Sequence, residues 1–157
     1  EYVSTGELYY YSLTAYDNLG NAGRSPVMSV VILLKEVKLT FASDALFEQG
    51  KANVKISAYN SLKEIKDVLK SFPESVIRVS GYTDDREEPG EYGTRTELSA
   101  ARAEAVKFFM VNLQGIDESR IEVSGKGEAD SAADNNTPEG RAKNRRVEIM
   151  ITSTVYN

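Results

Sequence analysis

Leu98, Arg102, Ala105 and Phe109 fall at i, i+4, i+7 and i+11, which places all four on one face of a helix. An arginine inside such a stripe keeps its charge, and leaving it desolvated without a partner costs several kcal/mol. Its planar fork suits a carboxylate taken bidentately. The candidates are Asp84 or Asp85, at the end of the preceding predicted strand, or an anionic group brought by a ligand. Without a ligand, such a pair would merely tie helix to loop. The same loop carries Glu87, Glu88 and Glu91. Clustered acids are commonly a solvated loop. They also offer a second chemistry, carboxylate-based glycan hydrolysis, in which a retaining mechanism needs two carboxyls about 5–5.5 Å apart.

Composition narrows the field. The 157 residues contain no His and no Cys, which removes Ser-His and Cys-His hydrolases, thiol nucleophiles, the commonest zinc ligands and any disulfide. With 19 Lys and Arg against 24 Asp and Glu, the net charge of -5 argues against nucleic acid or an anionic membrane as the main partner. No apolar run reaches the roughly 18 residues that a membrane span requires. The longest, "VMSVVILL" at 27–34, has the length of a strand. No direct membrane insertion is expected of this chain. It begins at Glu1 with no visible signal peptide, and so reads as a processed or excised piece. The loop with Asp130, Asp134, Asn135 and Asn136 is rich in oxygen ligands, but its spacing fits no EF-hand, and neither a metal nor a cofactor is expected.

Two segments must position these residues. Over 1–34 the pattern alternates, with Tyr9, Tyr11, Leu13 and Ala15 pointing one way. "DNLGN" at 17–21 supplies turn chemistry, and "SPVMSVVI" follows as a second strand. A lone hairpin is marginal in water. The segment therefore packs on the rest of the chain, pairs with a second copy as a homodimer, or is loosely held. From Val37 the order becomes β-α-β-α-β followed by a short helix and a strand. Tyr59, Leu62, Ile65, Leu69 and Phe72 make the apolar face of a first helix that Pro73 ends. Thr94 and Glu97 form a capping box for the second helix, which runs to Gly115. Thr137 and Pro138 begin a short third helix. The expectation is an α+β fold with a three- or four-stranded mixed sheet, two main helices on one face, and an N-terminal β-hairpin.

Four separated blocks then match one known pattern in order. They are "FEQGKANV" from Phe47, "GYTD" at 81–84, "LSAARA" at 98–103 and "GRAKNRRVEI" at 140–149. Together they resemble the OmpA-like C-terminal domain, a peptidoglycan-binding module of outer-membrane and periplasmic proteins, over residues 37–152. Residues 1–34, with Tyr9, Tyr11, Leu13, Ala15, Asp17 and then Gly20-Asn21 and Ser25-Pro26, resemble part of a fibronectin type III-like sandwich.

The OmpA-like resemblance implies a non-enzymatic domain that holds the diaminopimelate of a cell-wall stem peptide, in the periplasm or at the outer membrane of a diderm bacterium. It assigns Arg102 to the ligand carboxylate and Asp84 to the ligand ammonium. Thr83 and backbone groups near Leu98 would complete the hydrogen bonding, Asn53 would be a polar contact, and Arg145 would line the cleft. Asn144 is expected to cap its helix. Two positions depart from the pattern, which usually has Gly at position 87 and Asn at position 95, where this chain has Glu87 and Arg95. A carboxylate-dependent wall hydrolase and an interaction module that has lost wall binding are the alternatives.

Overall fold

A computed structural model describes residues 3–11, 14–16, 22–24 and 28–156, with side chains over 36–153. The turn expected at 17–21 lies outside the described residues. The elements run β1 (Val3–Tyr11), β2 (Thr14–Tyr16), β3 (Ala22–Arg24), β4 (Met28–Ala42), α1 (Ser43–Leu46), α2 (Tyr59–Lys70), β5 (Val76–Tyr82), α3 (Arg95–Gln114), β6 (Ile121–Gly125), α4 (Pro138–Asn144) and β7 (Arg146–Tyr156). One sheet has the order β1-β4-β7-β5-β6, while β2 and β3 pair with each other. Among the described residues, only the β5–β6 pair is parallel, and the other three ladders of the large sheet are antiparallel.

The expected boundary between two units falls inside β4. That strand is continuous from Met28 to Ala42, pairing with β1 through its first part and with β7 from Ile32 onward. A near-continuous apolar run before Lys35 and an apolar alternation after Glu36 join into one long strand. The sheet of the α+β domain is therefore extended by β1 to a fifth strand.

One face of the sheet is apolar and carries both long helices. Leu62, Ile65 and Leu69 from α2, with Val106, Phe109 and Met110 from α3, meet Ile77, Val79, Val147, Ile149 and Ile151 in one core. The opposite face is laced with polar pairs, including Arg78–Glu122 and Lys38–Glu148, both at 2.8 Å. This is the alternation a half-solvated antiparallel sheet requires.

Where α3 starts is set by two contacts. Thr94 caps it in a reciprocal capping box with Glu97. Its second turn then rests directly on the ends of β5 and β6. A Cβ on Gly81 would lie 2.0 Å from the Ser99 carbonyl oxygen, and one on Gly125 would lie 2.5 Å from the Ala100 nitrogen. Glycine at both places lets backbone meet backbone, which brings Arg102, one turn on, over the loops that leave the sheet.

Candidate functional site

At that end of the sheet the strand-to-helix loops enclose a cavity of about 310 Å³, lined by Asp44, Phe47, Gln49, Lys55, Asp84, Arg86, Glu87, Arg141 and Arg145. Three carboxylates (Asp44, Asp84, Glu87) and four cations (Lys55, Arg86, Arg141, Arg145) therefore share one concavity. A site with both signs of charge can hold a zwitterion, provided each end of the ligand finds its opposite.

Arg145, the last residue before β7, organises the cavity. Its Nε and Nη2 donate to the two oxygens of Asp44 at 3.0 and 2.6 Å, and its Nη1 donates to Asp84 Oδ2 at 2.6 Å. These carboxylates, Asp44 foremost, push the guanidinium above the ordinary arginine range against the effect of burial. Reciprocally, the Arg145 hydrogen bonds hold the Asp44 carboxyl below its usual value, again against burial. Asp84 Oδ1 accepts from the Arg86 backbone N–H at 2.7 Å, a local turn that points the carboxylate at Arg145. The other cations make fewer contacts than Arg145. Lys55 Nζ donates to the Asp44 carbonyl at 2.8 Å, Arg141 Nη1 to the Asn135 carbonyl at 2.7 Å, and Arg86 reaches Asp85 only at 3.9 Å.

Arg102 is 1% exposed, and its partner is neither Asp84 nor Asp85. Its Nη1 and Nη2 donate to Glu87 Oε2 and Oε1 at 3.0 and 2.6 Å, and its Nε donates to the Lys51 carbonyl at 2.9 Å. The Phe47 ring lies 5.4 Å from the guanidinium carbon. The bidentate pair that the helical stripe demands is present, with Glu87 supplying the acid. The two departures from the family pattern act together, because Arg95 Nε donates to the Glu87 carbonyl at 3.0 Å and Arg95 Nη1 to Glu128 at 2.8 Å.

The remaining candidates separate. Thr83 is 2% exposed, and its hydroxyl has no hydrogen-bond partner among the described residues. Leu98 is fully buried, and its N–H is committed to the Thr94 carbonyl at 3.0 Å, within the first turn of α3. Asn53 lines a different, apolar groove with Tyr59, Phe108 and Leu113, away from the mixed-charge cavity. Asn144 is not a simple cap: its side chain bonds both the N–H and the carbonyl of Ala133 at 2.9 Å and pins the loop before α4. Arg146 stacks on Tyr82, 3.7 Å from the ring centroid, and takes a structural role. Asp44, Lys55, Arg86 and Arg141 entered no candidate set. Arg141 had a visible signal, since it lies four residues before Arg145 at the spacing of one helix face. Asp44 had none, being 101 residues from its partner.

The OmpA family model matches residues 46–145. The chain belongs to the OmpA family. Among relatives, the domain is 33% identical to the probable lipoprotein YiaD of Escherichia coli over 147 residues, covering 94% of this chain and 65% of YiaD. It is 41% identical over 93 residues to the peptidoglycan-binding protein ArfA of Mycobacterium tuberculosis, covering 59% of this chain and 27% of ArfA. The chain thus spans less than two thirds of either relative. Its fold superposes on the cell wall anchor of the T6SS from Pseudomonas aeruginosa with a TM-score of 0.67 at 30% identity, covering 79% of this chain and 82% of that one. The α+β architecture expected from the sequence is the one this OmpA-family domain adopts.

Proposed function

We propose that the domain binds the stem peptide of peptidoglycan non-covalently and so ties an envelope protein to the cell wall, in the periplasm or at the outer membrane. The observation that carries this is the mixed-charge cavity centred on Asp84 and Arg145. The free end of a diaminopimelate residue bears a carboxylate and an ammonium on one carbon. Asp84 and Asp44 offer the ammonium its anions, and Arg141, Arg86 and Lys55 line the same cavity and supply the positive charge that the carboxylate approaches. A relative named as peptidoglycan-binding and a structural neighbour described as a cell wall anchor support the same function.

We take the domain to be a binding module rather than an enzyme. A glycan hydrolase needs two carboxyls available for proton transfer or attack, whereas Asp84 and Glu87 are each held by an arginine. Co-sedimentation with purified diaminopimelate-type peptidoglycan tests the proposal. The wild-type chain should pellet with the wall and leave its turbidity unchanged, while Asp84→Ala should lose tenfold or more in retention. Equal retention of both would contradict the site, and clearing of the suspension would contradict the binding-only role.

One observation favours a second function, an interaction module that no longer binds wall: Arg102 is already neutralised by Glu87. A wild-type chain that melts cooperatively yet stays in the supernatant would point there. The edge position of β1 in the sheet supports a homodimer through residues 1–34, since an edge strand can pair with a second copy.

A further inference from the structure

Arg102 is built as a receptor for one carboxylate, and the chain supplies that carboxylate itself. The Lys51 carbonyl fixes Nε, Phe47 closes one side of the guanidinium, and only the two terminal nitrogens face an acid. That acid is the two-oxygen tip of a side chain, and the carboxylate of a peptide ligand presents the same two oxygens. Glu87 also lines the mixed-charge cavity, although only 3% of its surface is exposed. It stands between that cavity and Arg102.

We propose that Glu87 is a built-in occupant of the Arg102 carboxylate site, displaced by the carboxylate of an incoming ligand, and that Glu87 thereby sets how tightly and how selectively the cavity binds. The proposal rests on the stem-peptide function above and names the residue that tunes it. Three observations make the exchange feasible. Removing Glu87 with no replacement would strand a buried charge, whereas exchanging one carboxylate for another keeps Arg102 paired. Arg95 holds the backbone carbonyl of Glu87 at 3.0 Å, so the loop can stay in place while the side chain turns about its own torsions. The cavity that Glu87 already borders offers the displaced carboxylate Arg86 and Arg141.

An internal competitor of this kind works at a high effective concentration. A lone carboxylate therefore fails to dislodge it. A ligand that engages Asp84 through its ammonium at the same time has the additional contacts needed. Glu87 would thus act as a filter that admits the zwitterionic end of a peptide and rejects simple acids.

The test uses the 157-residue chain, its Glu87→Gly variant, and two probes: a soluble stem tripeptide ending in diaminopimelate, and acetate. Calorimetric titration should show the glycine variant binding the tripeptide tenfold or more tighter than wild type. Acetate should raise the melting temperature of the variant and leave that of wild type unmoved. Should the glycine variant not fold, Glu87→Gln, which keeps the volume and one acceptor oxygen, carries the same comparison. Equal affinities would overturn the proposal and leave stem-peptide binding standing, with the ligand carboxylate held elsewhere in the cavity. Weaker binding by a folded variant would overturn it too, because Glu87 would then be a contributor. If acetate stabilises the variant but neither chain binds tripeptide, the exchangeable site at Arg102 stands and the stem-peptide function falls.

Discussion

Arg145 gathers Asp44 from the short helix α1 and Asp84 from the loop after β5, two carboxylates far apart in the chain, and the acid behaviour of the domain follows from that geometry. Asp44 is held below its unperturbed value of 3.8 chiefly by the Arg145 hydrogen bonds. A depressed folded value means the pair stabilises the fold above the unfolded value and stops doing so as the pH falls through the folded one. Melting temperature should therefore be flat from pH 7 to about 4.5 and fall below about 4, the ordinary aspartate range. Asp44→Asn should make the acid limb shallower, and an unchanged limb would show that the pair contributes nothing. At this scale the sequence was half informative. An arginine on an apolar helical face announced a carboxylate partner, because no other residue type satisfies that requirement. Which carboxylate it was did not follow, since Asp84, Asp85 and Glu87 lie within four positions on a glycine-rich loop whose path no periodicity encodes. The Asn53 assignment came from family position alone, and the structure puts that residue on the Phe108 groove.

At the scale of elements, the site depends on how closely α3 approaches the sheet. A methyl on Gly81 would collide with the Ser99 carbonyl oxygen at 2.0 Å, and backbone on both sides leaves little room to yield. Gly81→Ala should therefore lower stability by about 1–3 kcal/mol or more, as overpacking does. Wall binding should weaken too, since α3 must shift and carries Arg102 with it. Denaturant melts alongside wall retention measure both, and a variant as stable as wild type would refute the contact. The helices themselves were plain in the sequence because their signals are local: Leu62, Ile65 and Leu69 of the α2 stripe, the Thr94–Glu97 box, the glycine at the end of α3 and the Thr137-Pro138 start all recur in the structure, while Tyr59 is exposed and Phe72 joins the core from beyond the end of α2 at Lys70. The extent of β4 was less plain. Lys35 and Glu36 interrupt an apolar run, and a charged pair inside a strand looks like a linker unless its neighbours on β1 and β7 are known.

For the whole molecule, the question is what residues 1–35 add. The core running from Val37 to Ile151 is closed by α2, α3 and the four strands β4 to β7. We propose that a chain beginning at residue 36 folds by itself. It should unfold in one cooperative transition and keep its wall retention within about twofold, and under the proposed pairing through residues 1–34 it should sediment as a monomer and the longer chain as a dimer. Loss of cooperative unfolding would show instead that β1 and the first part of β4 belong to the same folding unit. A five-stranded sheet with one such edge leaves the mixed-charge cavity at the far ends of β5 and β7, where added strands do not reach it.

The central claim is that the cavity between Asp84 and Arg145 receives the zwitterionic end of a wall peptide. Backbone amide chemical shifts recorded during titration with a diaminopimelate stem tripeptide test it most directly. The account predicts saturable shifts concentrated at residues 44, 84–87, 141 and 145. Shifts that gather instead around Phe108 and Leu113, or none at millimolar tripeptide, would contradict it.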